Sequence, residues 1–305
     1  MNKVRIAHCD FDASEIALGC MRISSMSNQD IATLIHTALD EGINFFDHAD
    51  VYAGGKSEEK FAEALDMTPR LRDTMILQTK VGIREGSFDF SKVHILEAVE
   101  GSLKRLRTDH LDVVLLHRPD ALVEPEEVAE AFTILQDSGK VKYFGVSNQN
   151  PMQIELLSRF VKQPIIINQL QLSITNTGMI DTGIYVNMKI DSSIDRDGSI
   201  LDYCRLKDIT IQPWSPFQYG FFEGAFLDND KFPELNAQIN AVAASRGVPN
   251  TAIAIAWLLR HPARMQPIIG TTNPTRVKDS CKASYVKLTR QEWYEIYLAA
   301  GNKLP

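Results

Sequence analysis

The sequence predicts an α/β protein of the closed parallel-barrel class, a (β/α)8 TIM barrel with an N-terminal β-hairpin and extra helices, with residues 1–305 forming one domain. Three observations predict it. Short apolar runs alternate with amphipathic helical patterns along most of the chain. Eight such runs are found, the number that closes a barrel. The G-x-G-x-x-G turn that follows the first strand of a doubly wound open sheet is missing, because Gly19-Cys20-Met21-Arg22-Ile23 holds one glycine.

Residues 3–6 and 12–16 alternate apolar and polar around Cys9-Asp10-Phe11, the pattern of a small hairpin that plugs or caps the main fold. The first barrel strand ends near Gly19. A helix over 28–41 follows, with Ile31, Leu34, Ile35, Ala38 and Leu39 at helical spacing, Asn28 as its N-cap and Gly42 as its stop. The second strand is 44–47, and the helix over 57–65 has Ser57 as cap, with Glu58 and Glu59 in the first turn, where the dipole favours acids. Strand three is 75–79. Its helix, over 91–106, carries Val93, Leu96, Val99, Leu103 and Leu106 on one face. Strand four, 111–116, precedes a helix opened by Pro125 and ended by Gly139. Strand five is 143–146, and Pro151 begins a helix to about 160. Strand six, 165–168, ends at Gln169. Residues 170–200 are rich in Asn, Asp, Ser, Thr and Gly without a sustained period, which predicts a long excursion before a helix at 200–206. Strand seven, 209–212, runs into Pro213-Trp214-Ser215-Pro216. Helices over 233–246 and 251–260 precede strand eight at 267–269, and helices over 275–283 and 289–300 complete the chain.

Composition narrows the function classes. A hydrophobic content of 44% supports a sizeable core, and 23% charged residues is ordinary for a globular protein. The net charge is −7 and the Lys and Arg residues are scattered, so no basic stripe exists to neutralise a nucleic-acid backbone. Met1-Asn2-Lys3-Val4-Arg5-Ile6 lacks the apolar core of a signal peptide, and no run approaches the ~20 apolar residues of a membrane span. The expectation is a cytoplasmic protein, monomeric or weakly homo-oligomeric, whose partner is a small molecule rather than nucleic acid or membrane. Cys9, Cys20, Cys204 and Cys281 form no C-x-x-C pair, which argues for reduced structural thiols and no metal site.

Sites in such barrels lie at the carboxyl ends of the strands. Those ends read Gly19, Asp47, Lys80, His117, Ser147-Asn148, Gln169, Trp214-Ser215 and Gly270-Thr271-Thr272. The stretch from Asn44 to Tyr52 organises them, since an apolar run stops at Asp47 and a tyrosine follows in a loop. A free tyrosine titrates near about 10 and needs a cationic neighbour to give up a proton at neutral pH. Lys80 is expected to lower the Tyr52 pKa, with Asp47 holding Lys80 in place. Tyr52 then acts as a general acid toward a carbonyl oxygen while hydride reaches its carbon, and His117 orients or polarises that carbonyl.

Each residue taken alone has a plainer reading. Asp47 would cap a turn, His117 would be structural, and Lys80 would be solvated or the Schiff-base nucleophile of an aldolase. Pairing with Asp47 argues against the aldolase, because it keeps the lysine protonated. His48 points to the opposite face of its strand and reads as structural. Trp214 is either core or a stacking surface for a flat ring. Phe11, Met21, Phe88, Trp214 and Phe217 are the candidates for an apolar mouth.

Phe46-Asp47-His48-Ala49-Asp50-Val51-Tyr52, Thr79-Lys80, Leu116-His117-Arg118-Pro119-Asp120 and Gly145-Val146-Ser147-Asn148 together resemble the aldo-keto reductase superfamily. The Asp-His-Ala-Asp and His-Arg-Pro-Asp runs resemble its bacterial oxidoreductase branch. Matching motifs run in order from Gly19 to Ser280. The resemblance implies a barrel that binds a nicotinamide dinucleotide without a Rossmann domain and reduces aldehydes or ketones to alcohols, with NADPH as donor and NADH as the alternative. Asp47, Tyr52, Lys80 and His117 match the catalytic tetrad. Ser147, Asn148 and Gln169 match the residues that hold the nicotinamide carboxamide, and Trp214 stands where a ring-stacking tyrosine is usual. Ser215, Pro216 and Phe217 would follow the pyrophosphate, while Gly19, Met21, Arg22 and Asp47 border the cofactor. Gly270, Thr271, Thr272, Arg276, Asp279 and Ser280 match the adenosine end, with Arg276 placed to stack on adenine or meet the 2′-phosphate. Three departures stand out: Gly270 where many relatives carry lysine, Ser280 where asparagine is common, and a short tail after Ala300. Some relatives serve as channel-associated subunits, so a cofactor-binding regulatory subunit with little turnover is the rival reading.

Overall fold

A computed structural model describes residues 1–305. The barrel strands are β1 (Ala17–Gly19), β2 (Phe45–Asp47), β3 (Ile76–Val81), β4 (Leu111–Leu116), β5 (Val141–Ser147), β6 (Ile165–Gln171), β7 (Thr210–Trp214) and β8 (Ile268–Ile269). They lie in the order β7-β6-β5-β4-β3-β2-β1-β8, so strands adjacent in the chain are adjacent in space. Strand β8 returns parallel to β1, with Ile268 opposite Ala17 and Ile269 opposite Leu18. The last seam is drawn together by the Gln266 amide, which donates to the Ile211 carbonyl at 2.9 Å. Parallel pairing forces each connection to cross from one end of the barrel to the other, and helices supply most of that length.

The buried apolar residues divide into two clusters. The larger, of 65 residues, gathers the helix faces and outward strand positions such as Leu77, Val114 and Ile211. The smaller, of 11, includes Ala17, Phe45, Ile76, Val113 and Ile268, the inward residues near the strand starts. Most of the apolar burial therefore lies outside the barrel wall, which leaves the upper interior available for polar groups.

The N-terminal hairpin pairs Lys3–Val4 with Ala13–Ser14 antiparallel, and its Val4, Ile6 and Ala13 join the smaller cluster. It plugs the amino-terminal end of the barrel. Phe11 packs edge-on to Tyr143 with ring centres 5.5 Å apart, and the Tyr143 hydroxyl donates to Asp10 Oδ1 at 2.8 Å. Phe11 therefore belongs to the plug, and its expected place at the mouth is corrected.

Several helix starts also differ from expectation. Ser27, not Asn28, caps the Asn28–Asp40 helix, its Oγ accepting from the Asp30 amide at 3.1 Å. The Lys56–Leu65 helix starts after Gly55, whose φ of +89° and contact with the Arg105 side chain both call for glycine. Ser57 is buried inside that helix and donates to the Met21 carbonyl at 3.2 Å. In the Lys92–Leu106 helix, Ile95, Val99, Leu103 and Leu106 face inward while Val93 is exposed. The excursion after β6 holds a helix, Gly178–Ile184, tied down by the Tyr297 hydroxyl donating to Asp181 Oδ1 at 2.6 Å. On the far flank, Trp257 and Trp293 stack 4.6 Å apart. Each indole N–H donates to the other's backbone carbonyl at 3.0 Å. No single helix is long and apolar enough to cross a membrane.

Candidate active site

Side chains alternate between the two faces of a strand, and that alternation builds the site. Asp47 follows Phe45 inward on β2, Lys80 follows Gln78 on β3, and His117 comes two residues after Leu115 at the end of β4. Lys80 Nζ donates to Asp47 Oδ1 at 2.7 Å, to Asp47 Oδ2 at 2.8 Å and to the His48 carbonyl at 2.7 Å. These oxygens enclose the ammonium group, and the side chain is fully buried. Burial opposes the charge, but Asp47 and then Tyr52 outweigh it, holding Lys80 above the ordinary lysine range. A lysine kept protonated in this way has no lone pair for Schiff-base chemistry.

Tyr52 sits in the loop after β2, with Lys80 Nζ 4.9 Å from its ring centre and its ring edge-on to His117 at 6.0 Å. Burial of the phenol raises its pKa more than Lys80 lowers it, so the net shift is upward. Lys80 acts in the expected direction, and burial outweighs it. His117 is held neutral, well below the ordinary histidine range, by burial and by the charges of Lys80 and Arg118. Its backbone amide donates to the Val81 carbonyl at 2.9 Å. His48 points away, against Phe61 at 4.6 Å. Burial and Lys80 push it down to about 3.

Behind Tyr52 lies a second carboxylate group. Glu58, fully buried, accepts from Thr79 Oγ1 at 2.6 Å and from Arg105 Nε at 2.7 Å. Asp50 faces it with a buried, unpartnered Oδ1. Burial first, and then the Glu58 charge, push Asp50 up to about 7.

The mouth of the barrel is a cleft of about 400 Å3. Asp47, Tyr52 and His117 form its floor, with Lys80 buried beneath them. Ser147, Asn148 and Gln169 line one wall. The Ser147 hydroxyl donates to the Gln169 carbonyl at 3.0 Å, Asn148 Nδ2 donates to Ser147 Oγ at 2.7 Å, and Trp214 Nε1 donates to Asn148 Oδ1 at 3.1 Å. Trp214, Ser215, Pro216 and Phe217 continue around the rim, with Gly19, Met21 and Arg22 opposite. Gly270, Thr271, Thr272, Arg276 and Ser280 line the far end. Asp279 does not reach the cleft, because its carboxylate accepts from Lys282 Nζ at 2.9 Å. Phe88 is exposed on a small hairpin of Ile83–Arg84 with Ser87–Phe88 and lies outside the lining.

Arg118, Gln218, Phe222, Leu227, Asp228 and Thr251 also line the cleft and were not anticipated. Arg118 follows His117 directly, so its place at a strand end was a usable signal. Phe222 lies in the turn between Gln218–Tyr219 and Gly224–Ala225 and stacks on Trp214 at 5.9 Å. Arg118 lies over the same indole at 5.6 Å. Asp228 and Thr251 carry no pattern that sets them apart.

The lining is chemically divided. One end offers amide and hydroxyl groups that donate and accept, the set an amide ligand requires. The other offers Thr271, Thr272 and Arg276 beside the start of the Pro274–Cys281 helix. Arg22, Arg118 and Arg276 have no carboxylate within ion-pair distance. In a chain of net charge −7, three unpaired guanidinium groups in one cleft suit an anionic ligand. These residues fit a nicotinamide dinucleotide, amide at the floor and phosphates toward the far end.

A parallel barrel with Asp47, Tyr52, Lys80 and His117 gathered at its carboxyl mouth defines a class, the barrel oxidoreductases. The chain matches the aldo/keto reductase family model over residues 15–299 and belongs to that family. It is 34% identical to the uncharacterized oxidoreductase YcsN of Bacillus subtilis, with all of both chains covered (100% and 100%). It is also 34% identical to a 6-dehydroglucose reductase of Agrobacterium fabrum, covering 98% of each. Among solved structures, an aldo-keto reductase from Klebsiella pneumoniae in complex with NADPH superposes with a TM-score of 0.77 at 24% identity, covering 97% of this chain and 93% of that one.

Proposed function

We propose that the protein is an NADPH-dependent carbonyl reductase in which Tyr52 is the proton donor. The placement of Tyr52 in the cleft, with Lys80 Nζ 4.9 Å from its ring centre and His117 edge-on at 6.0 Å, is the observation that supports this most strongly. When bound, the dinucleotide supplies hydride to the carbonyl carbon. Tyr52 delivers a proton to the carbonyl oxygen. The His117 imidazole N–H donates a hydrogen bond to the same oxygen as charge builds there. Lys80 favours the phenolate that Tyr52 becomes, and Asp47 keeps Lys80 in position. Asn148 and Gln169 would hold the carboxamide, and Trp214 would offer a flat face beside it. Thr271, Thr272 and Arg276 would meet the 2′-phosphate, which would favour NADPH over NADH.

The substrate we infer is a small hydroxylated aldehyde. Arg118 is half-buried beside His117 with no carboxylate partner, so its N–H groups are available to oxygen atoms next to the carbonyl. The name of the Agrobacterium relative, 6-dehydroglucose reductase, points the same way.

NADPH and NADH oxidation followed over a panel of sugar aldehydes, simple aldehydes, ketones and quinones tests the whole reading. Tyr52→Phe is expected to lose roughly 10²–10⁴-fold in kcat while binding NADPH as before; full activity in that variant would sink the mechanism. Arg118→Met is expected to raise KM for hydroxylated aldehydes and leave unsubstituted ones alone. An equal effect on both would remove the substrate assignment. Turnover at an ordinary enzymatic rate, about 1 s⁻¹ or faster, with a carbonyl in this panel also disposes of the regulatory-subunit reading.

A further inference from the structure

The middle of the barrel, where aliphatic side chains usually pack, contains three fully buried glutamines. Gln78, Gln212 and Gln266 lie one layer below the floor of the cleft, each two residues before an inward residue of the layer above or of the rim: Lys80, Trp214 and Ile268. They are joined in one chain. Gln266 Nε2 donates to the Ser14 carbonyl at 2.6 Å. Gln212 Nε2 donates to Gln266 Oε1 at 2.8 Å. Gln212 Oε1 accepts from Gln78 Nε2 at 2.8 Å and from Gln169 Nε2 at 3.2 Å. Gln78 Nε2 and Gln169 Nε2 also donate to Asp47 Oδ1, at 2.6 Å and 3.0 Å.

The direction of this chain is forced at both ends. A backbone carbonyl can only accept, so Gln266 must present Nε2 to Ser14 and Oε1 to Gln212. Gln212 must then give Nε2 to Gln266 and turn Oε1 toward Gln78 and Gln169. Those two amides must point Nε2 inward, toward Gln212 and toward the Asp47 carboxylate, which when ionised is also acceptor-only. Nothing in the chain can flip without breaking at least two buried bonds. With Nε2 of Gln169 committed below, its Oε1 is the atom left for the cleft.

We infer that Gln78, Gln212 and Gln266 are positioning residues, a one-way amide relay from the Ser14 carbonyl that fixes Gln169 with its acceptor oxygen toward the ligand. It rests on the reading of the cleft as an NADPH site and assigns the relay a ligand group, the N–H of the nicotinamide carboxamide. The relay also delivers two donors to Asp47, from Gln78 and Gln169.

The full-length chain is titrated with NADPH and, separately, with adenosine 2′,5′-bisphosphate, which keeps the adenosine end and lacks the nicotinamide. Failure of the unmutated protein to bind NADPH would remove the cofactor reading itself; the relay is judged on variants of a protein that binds. Gln212→Met removes the shared acceptor at nearly constant length. It is expected to weaken NADPH roughly five- to tenfold, the effect of about one hydrogen bond, with bisphosphate binding unchanged within about twofold. Gln212→Glu supplies the rescue. While protonated, the new side chain both accepts from Gln169 and donates to Gln266, so NADPH affinity stays near that of the parent at low pH. Ionised, it still accepts from Gln169, so its NADPH affinity stays within about twofold of the parent at any pH, whereas Gln212→Met remains weakened. Equal weakening of both ligands, or unchanged NADPH binding in a folded Gln212→Met protein, overturns the relay. Should Gln212→Met not fold, Gln212→Glu decides the matter, because a loss of NADPH affinity of about fivefold or more in that folded variant overturns the relay.

Discussion

The floor of the cleft and its far rim are built on opposite principles. On the floor, oxygens enclose the Lys80 ammonium group, Asp47 Oδ1 accepts from three donors, and all of these groups are buried on strands. On the rim, Arg22 and Arg276 are exposed, sit outside the strands, and find no partner in the chain. A saturated site cannot adapt, which suits chemistry that depends on one proton at one atom. An unsaturated one waits for its partner to come from outside, which suits recognition. The strands here hold the closed set of groups and the loops the open one.

The contrast is most easily broken at the floor. Lys80→Met leaves the Asp47 carboxylate buried without its cation, so a stability loss of about 3–5 kcal/mol is expected in denaturant titrations, together with a loss of turnover of at least roughly 10³-fold. A stable, active variant would mean that the floor is not the tightly coupled unit described. At the rim the opposite pattern is expected. Arg276→Ala should weaken NADPH by roughly 10–100-fold, the range for a lost charged hydrogen bond, with little change in NADH affinity, kcat or melting temperature. Isothermal titration with both dinucleotides measures it.

Asp50 sharpens the boundary between the two regions, because it is half-buried beside the floor with its Oδ1 buried and unpartnered. Its pKa of about 7 in the folded protein lies above the ~3.9 of an unfolded aspartate. The folded state therefore holds the extra proton between those values. The contribution is complete below the lower one and is lost as the pH rises through about 7. Asp50→Asn should accordingly stabilise the protein on the order of 1–2 kcal/mol near pH 8, with little effect near pH 4, seen as a shift of the urea midpoint. The smallest effect is expected at Phe222, an exposed ring that stacks on Trp214 and packs edge-on to Phe221. Phe222→Ala should change KM for NADPH or the aldehyde by about two- to fivefold and leave kcat alone, an aromatic pair being worth about 0.5–1.5 kcal/mol.

Much of the floor was legible in the sequence, for a physical reason. Strands buried on both faces are largely apolar, so on β2 and β4 the first inward polar residue, Asp47 or His117, marks the mouth. Caps were harder. Ser27 and Asn28 are both good capping residues, and only the extended backbone at Ser27 (ψ 153°) separates them. Asp279 matched a family position but has Lys282 one helical turn away, and the local pair takes its carboxylate. Phe11 could not be assigned to an end of the barrel, since nothing near it says where the hairpin docks. The glutamines are the clearest case of information that emerges only on closure. Each reads as an ordinary polar residue, and the inward parity of Gln78 with Lys80 and of Gln212 with Trp214 shows where they point but not that they meet.

The chain's three tryptophans divide between the two environments in a way that gives the protein two separate optical reporters. Trp214 is partly exposed at the cleft, its indole N–H on Asn148, so its fluorescence responds to whatever occupies the mouth. Trp257 and Trp293, buried and stacked at an interplanar angle of 6°, form a chiral chromophore pair whose near-ultraviolet dichroism lasts as long as the far flank stays packed. Ligand titration followed at the first signal, and unfolding followed at the second, can be read from one sample without a label.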